Sequence, residues 1–357
     1  MSDKINSREQ KNGSLPPLLL ASSPHIASPV NSAAIMGTML IALAPAAVFG
    51  IIIFGVPVLL NIVVSVAAAI AGESLFRLAT RQPVRMKDLS AGVSGLLLAL
   101  VIPPTTPLWM TALGAVFAVV VAKEFFGGLG ANVFNPALIG RAFLLMSFPA
   151  ALTTWRLPVS QSSSFTADVV TGATPLGIFA EGGGMDAVNQ SLAGAADSYW
   201  PTIKALFFGH RAGCTGETSI MLILAGFVFL LVTKVIDWRA PVSMIAAGFI
   251  AAFVLGLDPL FSVLSGGLIF GAVFMATDYV TAPVTPAGKL IFGIGAGIIT
   301  MLIRKWGTYP EGVSYAILIM NGATPFLNKL LPRKYGYVPK SKKQKNSAAD
   351  AGKGAAK

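Results

Sequence analysis

Apolar runs occupy 34–54, 56–76, 90–103, 107–123, 134–151, 217–235, 241–257, 260–277, 288–303 and 312–331, with short polar or glycine-rich breaks between them. Several are shorter than the ~20 residues a straight crossing requires. The pattern predicts an all-α polytopic membrane protein with about ten transmembrane segments. Two short runs meet unusual backbone, "VIPPTTP" at 101–107 and "GGLGANVFNPALIG" at 127–140. Proline and glycine clusters at membrane depth are tolerated where backbone lines a cavity or packs inside protein, so broken helices are expected here. Each half holds one polar, glycine-bearing loop, "GGLGANVFNPA" and "MATDYVTAPVTPAGK". That pairing points to a 5+5 inverted repeat.

The runs divide the chain into an N-terminal segment (1–33), a first membrane half (34–151), a long polar loop (152–216), a second membrane half (217–331) and a basic tail (332–357). Lys and Arg set the expected orientation. With the N-terminus in the cytoplasm, the basic stretch "RLATRQPVRMKD" (77–88), Lys123, Lys234, Arg239 and the tail all fall inside. The uncharged turn at 103–107 and the long loop fall outside. Arg304 and Lys305 are the exception, since the same count puts them outside.

Composition agrees. Of 357 residues, 54% are hydrophobic and only 11% charged, against about 25% charged in an average soluble domain. The net charge of +11 gathers on the cytoplasmic flanks, which suits orientation and contact with anionic lipid rather than nucleic acid. The tail "KSKKQKNSAADAGKGAAK" is low-complexity and expected to be disordered. Residues 1–30 show no signal-peptide pattern, so no cleaved leader is expected. The single cysteine, Cys214, cannot build a disulfide framework or a cluster alone, and two histidines, His25 and His210, are too few for a haem bundle. No glycine fingerprint for a nicotinamide cofactor lies between a strand and a helix.

Several stretches carry chemistry. In "DVVTGATPLG" (168–177), Thr171 and Thr174 offer hydroxyls, Gly172 and Ala173 remove bulk between them, and Pro175 interrupts regular hydrogen bonding. Asp168 could coordinate Mg²⁺ during an enzymatic modification. Taken alone, the segment also reads as a plain turn. A near copy, "NGATPF" at 321–326, lies in an apolar run, where Thr324 reads as a helix-packing position. Ionisable groups within spans are functional candidates by default, here Asp278, Glu124 and Glu73; each could also mark an interfacial helix end, and Lys123 and Glu124 could neutralise each other. In "NVFNPALIGRAF", Asn132 and Asn135 can cap a helix beginning at Pro136. The N–H groups at that helix start could meet an anion or the oxygens of a planar ring. Arg141, one turn on, could neutralise a phosphate or anchor lipid headgroups. Phe125 and Phe126 could pack a ring. Glu217, in "GCTGETS", suits a helix first turn or contact with an ion or a cofactor.

Taken in order, "LASSPH", "GLLLALVIPPTTPLW", "AKEFFGGLGANVFNPALIGRAFL", "GETS", "FMATDYVTAP" and "EGVSYAILIMN" resemble the family of the Rnf complex D subunit and the B subunit of the sodium-pumping NADH:quinone reductase, over roughly 20–337. The resemblance implies FMN esterified through its phosphate to the second threonine of the motif, here Thr174, by a separate flavin transferase acting on FAD. It further implies one subunit of a bacterial inner-membrane complex that couples ferredoxin and NAD⁺ chemistry to Na⁺ or H⁺ movement, with both termini cytoplasmic and the flavin loop outside. Such a subunit has no catalytic residue, no metal site and no independent activity; its partners are the other subunits, the transferase, the coupling ion and lipid. The sequence leaves a second, non-covalent flavin open, as well as the coupling ion. Relatives are expected to carry Asp near Asn328, which puts any ion role there in doubt. The competing reading is a small-solute channel or facilitator without a redox cofactor.

Overall fold

The computed structural model describes residues 31–84, 86–158, 172–195, 198–209, 211–307 and 311–329, and these are helical nearly throughout. The first half contains α1 (Ser32–Phe54), α2 (Val56–Ala79), α3 (Ser90–Val101), α4 (Leu108–Val120), α5 (Pro136–Ser147) and the short α6 (Pro149–Leu152). Between the halves lie α7 (Pro175–Ile178), α8 (Gly184–Ala193) and α9 (Tyr199–Phe208). The second half contains α10 (Ile220–Val232), α11 (Arg239–Val254), α12 (Pro259–Leu264), α13 (Leu268–Phe270), α14 (Pro286–Trp306) and α15 (Val313–Lys329). The described residues of segment 152–216, read from the sequence as a loop, include a cap of short helices. Leu176, Val188, Ile203 and Leu206 form a small core with Phe261 of α12.

Four helices, Ser32–Phe54, Val56–Ala79, Leu108–Phe126 and Pro286–Trp306, are long and apolar enough to cross a membrane. The other apolar runs form shorter or interrupted helices. The run 260–277 divides at Gly266, whose φ of 60° lies in the left-handed region, and resumes as α13 and a buried π-helical turn, Gly271–Met275. At the other break, α3 stops at Ile102 and two residues of the neighbouring helices compensate. Asn61, in the middle of α2, donates to the Pro104 carbonyl at 3.2 Å and accepts from the Thr111 hydroxyl at 2.8 Å. Non-helical backbone at this depth is satisfied by protein in place of water.

Helix α2 packs on α3 and α4, and α4 on α5; in the second half α14 packs on α11 and α15. Contacts of α1 with α10 and of α5 with α15 join the halves. Small residues permit the close approaches. A side-chain carbon on Gly140 would stand 2.8 Å from the Gly114 carbonyl, and one on Gly293 2.5 Å from the Ala240 carbonyl. One end of the bundle gathers Ile35, Ser90, Lys123, Asn135, Val235 and Asp278 around a cleft. The opposite end carries the α7–α9 cap, with Arg211 donating to the Leu264 carbonyl at 2.9 Å and Thr105 to that of Thr154 at 2.7 Å.

Candidate functional site

Thr174 is the N-cap of α7. Its backbone is extended (φ −69°, ψ 152°) and its Oγ1 accepts from the Gly177 N–H at 3.0 Å. The residue is buried, and a side-chain carbon on Gly177 would lie 3.2 Å from that oxygen. Ala173 is exposed. Gly172 is bare for a different reason than its sequence suggests: a side-chain carbon there would stand 2.8 Å from Leu157 Cδ2. Thr171 and Asp168 lie outside the described residues. Leu176 continues from Thr174 into the small core and rests against Gly266, where an added carbon would meet Leu176 Cδ2 at 3.3 Å and Arg304 Nη2 at 3.0 Å.

Arg304 belongs to a buried ionic cluster at this end. Arg141, from α5, pairs with Glu311, donates to Ser314 Oγ at 3.1 Å and stands 3.8 Å from Glu217 Oε1. It is buried, which removes the headgroup-anchor reading. Glu217 is also buried and presses on Gly267, so it serves this cluster rather than an exposed helix end. Arg211 donates to the carbonyls of Leu264 (2.9 Å) and Glu217 (2.6 Å). Arg304 donates to the carbonyls of Ser262 and Ser265, and its buried Nε has no partner. Cys214 Sγ, Glu217 and Glu311 present ligand atoms within 4.8 Å of one another, with Arg141 Nη2 3.8 Å from the sulfur. The cluster contains three guanidiniums and two carboxylates, and no ion pair reaches Arg211 or Arg304 among the described residues.

The cleft at the opposite end is narrow, with a cavity volume of about 60 Å³, and is lined by Met36, Ser94, Asn132, Asn135, Phe274 and Asp278 among others. Asn135 Oδ1 accepts from Ala137 N at 3.0 Å and Leu138 N at 3.4 Å, capping α5, while Asn132 donates to the Phe134 carbonyl. Asp278 accepts from Thr281 Oγ1 at 3.0 Å. Beside the cleft is a second ionic network. Lys123 Nζ is 2.8 Å from Glu73 and 2.6 Å from Ser90 Oγ, and Arg77 Nε is 3.1 Å from Glu124 and 3.4 Å from Glu73. Lys123 and Glu124 therefore do not neutralise each other. All four side chains are buried, and both acids lie toward the ends of their spans, Val56–Ala79 and Leu108–Phe126. Phe125 and Phe126 are exposed, 63% and 48%, and Phe125 stacks only against Phe76; neither faces the cleft.

Of the sequence candidates, the fold brings Arg141 to Glu217, Asn135 to Asp278 around the cleft, and Glu73 to Glu124 through Arg77. Thr174 stands with the first group. The sequence reading missed Glu311, Arg211 and Ser314 as members of it. It met Arg304 only as a charge on the wrong side.

Residues 19–336 match the NQR2, RnfD, RnfE family. The chain is 42% identical over 325 residues to the D subunit of the proton-translocating ferredoxin:NAD(+) oxidoreductase complex of Clostridium ljungdahlii, covering 89% of this chain and 96% of that protein. It is 39% identical to the D subunit of the Na(+)-translocating ferredoxin:NAD(+) oxidoreductase complex of Acetobacterium woodii (92% and 98%). It is 37% identical to the D subunit of the ion-translocating oxidoreductase complex of Stutzerimonas stutzeri (85% and 91%). With nearly all of its length matched at these identities, the chain belongs to the NQR2, RnfD, RnfE family.

Proposed function

We propose that the chain is a membrane subunit of an ion-translocating ferredoxin:NAD⁺ oxidoreductase complex and that it carries FMN esterified to Thr174. The observation that carries the reading is the placement of one hydroxyl. Thr174 Oγ1 lies at the start of a short helix, flanked by Gly177, on the cap built over one end of an apolar bundle. The residues fit the group: a threonine oxygen for the ester, an exposed Ala173 beside it, and cationic side chains beneath. When bound, flavin supplies one-electron relay, and the protein's part is to hold it and set its electrostatic surroundings. Thr174 anchors the phosphate, Gly177 N–H orients the oxygen, and Leu176 fixes the segment to the cap. A covalent bond suits an outward-facing cofactor, which would otherwise be lost by dissociation.

The finer architecture belongs to the same proposal. Pairing of α2 with α4 and of α11 with α14 supports a 5+5 inverted repeat of about ten crossings with broken helices in each half. Arg77, Lys123, Arg239 and Lys289 accompany the cleft end, which supports a cytoplasmic cleft, cytoplasmic termini and an external flavin cap. Arg304 is buried in its cluster, so only the exposed Lys305, which donates to the Leu255 carbonyl, still counts against this orientation. The cleft, with Asn132, Asn135 and Phe274 in its wall, offers polar edges to a second, non-covalent flavin, but at about 60 Å³ it would have to widen to admit one. Asp278, Glu73 and Glu124 remain the ion-path candidates, and the other complex subunits and a flavin transferase are the partners.

The test is in-gel flavin fluorescence after expression with the transferase, comparing wild type with Thr174→Val and Thr324→Val. A fluorescent band lost only in Thr174→Val supports the reading. A dark wild-type band, with the transferase active on another substrate, overturns it.

A further inference from the structure

We infer that the buried arginines Arg304 and Arg211 provide the counter-charge for a phosphodiester at Thr174. The inference rests on the covalent-flavin reading above and adds to it the group that holds the anion. Its basis is an imbalance. Arg141 engages both carboxylates of the cluster, Glu311 and Glu217. Among the described residues, Arg211 and Arg304 have backbone carbonyls alone, those of Leu264, Glu217 and Gly266 and those of Ser262 and Ser265. Counting the described residues of the cluster with both acids ionised, one positive charge remains over; protonating either acid enlarges the excess. An unpaired buried charge is expensive, because carbonyl dipoles replace only part of its lost hydration. Arg304 is 7% exposed and its Nε has no partner, so the excess lies where water cannot relieve it.

The missing anion has an address. A side-chain carbon on Gly266 would meet both the Arg304 guanidinium (Nη2, 3.0 Å) and Leu176 (Cδ2, 3.3 Å), and Leu176 is two residues beyond Thr174. The turn at 262–266 that the two arginines grip by its carbonyls is therefore the floor under the Thr174 segment. A phosphodiester at Thr174 Oγ1 carries one negative charge, which matches the excess. Guanidinium is suited to this because it is permanently charged and weakly hydrated, and its fork can hold carbonyls while its field reaches an anion. The other source of the same chemistry is the phosphate of an anionic lipid.

The experiment uses the full-length chain in nanodiscs of neutral lipid, expressed with and without the flavin transferase, so that loaded and unloaded forms share one sequence. Melting temperature and in-gel fluorescence are read for wild type, Arg304→Lys and Arg304→Gln. A ligand that relieves strain in the folded state raises its stability. The expected result is a rise in melting temperature on loading in wild type and Arg304→Lys, and loss of most of that rise in Arg304→Gln with the fluorescent band intact. An equal rise in all three overturns the inference, as does its loss in Lys and Gln alike, which would credit the carbonyl bonds rather than the charge. Should Arg304→Gln fail to fold, Arg211→Gln is read in the same way. Anionic phospholipid that stabilises unloaded wild type but not unloaded Arg304→Gln, with no effect of loading, overturns it in favour of a lipid. A dark wild-type band fails the covalent-flavin reading itself and is told apart by the gel alone.

Discussion

Lys123 reaches across fifty residues of sequence to Glu73, Nζ to Oε2 2.8 Å, and leaves its neighbour Glu124 to Arg77. Lys123 closes the α4 segment, and Glu124 opens a single 3₁₀ turn whose backbone then passes through Gly127 and Gly128, both at positive φ. The two side chains leave in different directions. The result is two acids and two bases interlocked among α2, α3 and the α4 end. Removing one partner from a buried pair leaves an uncompensated charge, at about 3–5 kcal/mol. Lys123→Met should lower stability by that order, and Lys123→Met combined with Glu73→Gln should recover part of the loss. Melts of both in the same detergent check this; equal losses in single and double variants would mean the pair is not coupled.

A methyl on Gly297 would lie 2.9 Å from the Gly248 backbone nitrogen and closer still to the Met244 carbonyl, whereas nothing stands within 4 Å of one on Gly92. Gly297→Ala should destabilise by about 1–3 kcal/mol or more, since backbone cannot yield as a side chain does. Gly92→Ala should be neutral or slightly stabilising, because glycine is a poor helix residue. Yield of monodisperse protein in fluorescence-detected size exclusion separates the two.

Asn135 Oδ1 satisfies two free N–H groups of α5. Asn135→Ala should cost about 1 kcal/mol, and Asn135→Ser should regain most of it. Since Asn135 also lines the cleft, non-covalent flavin retained on purification should fall in Asn135→Ala and stay low in Asn135→Ser, whose hydroxyl can cap the helix but presents no amide. Recovery of both quantities together in Asn135→Ser would show that the cap alone matters.

The Tyr199 hydroxyl lies 3.1 and 3.2 Å from the two oxygens of Asp258. Partial burial, and then the nearby negative charge, push its pKa up to about 12. The unfolded phenol ionises near its ordinary ~10, so the unfolded state loses its proton first. The stabilising contribution is complete below about pH 10 and is lost as pH rises through about 12. Resistance of the cap to limited proteolysis should decline over that window in wild type. The decline should be shallower in Tyr199→Phe; identical profiles would remove Tyr199 as its source.

What could be read from the chain divides by distance along it. The cap at Asn135–Pro136 and the breaks at 101–107 and 127–135 are local, set by backbone preferences of a few neighbouring residues, and they stand where the pattern puts them. Of the ten apolar runs read from hydropathy, four contribute helices long and apolar enough to cross a membrane and the others form shorter or interrupted helices, because hydropathy measures what a side chain tolerates and not where backbone hydrogen bonds stop. Ionic partners were the least legible. Glu73 and Lys123 are fifty positions apart, and Arg141 and Glu311 a hundred and seventy. Glu311 stood inside "EGVSYAILIMN" with nothing local to mark it as a partner. Arg304 did leave a trace, as a charge that broke the orientation rule.

Helices α11 and α14 touch backbone to backbone through Gly293, Gly297 and Gly248, with Ser243 and the Ala240 carbonyl against Gly293. Such a seam has no layer of side chains that could slip or rotate, so the pair moves as a single beam. Any rearrangement that opens one face of the bundle to an ion must flex elsewhere. The joints available are the turn at Gly266 and the π-helical turn Gly271–Met275, which adjoin that beam at either end of α13. Such a rearrangement would hinge two short levers against a stiff strut, one of them resting beside the arginine cluster and the other running down to Asp278.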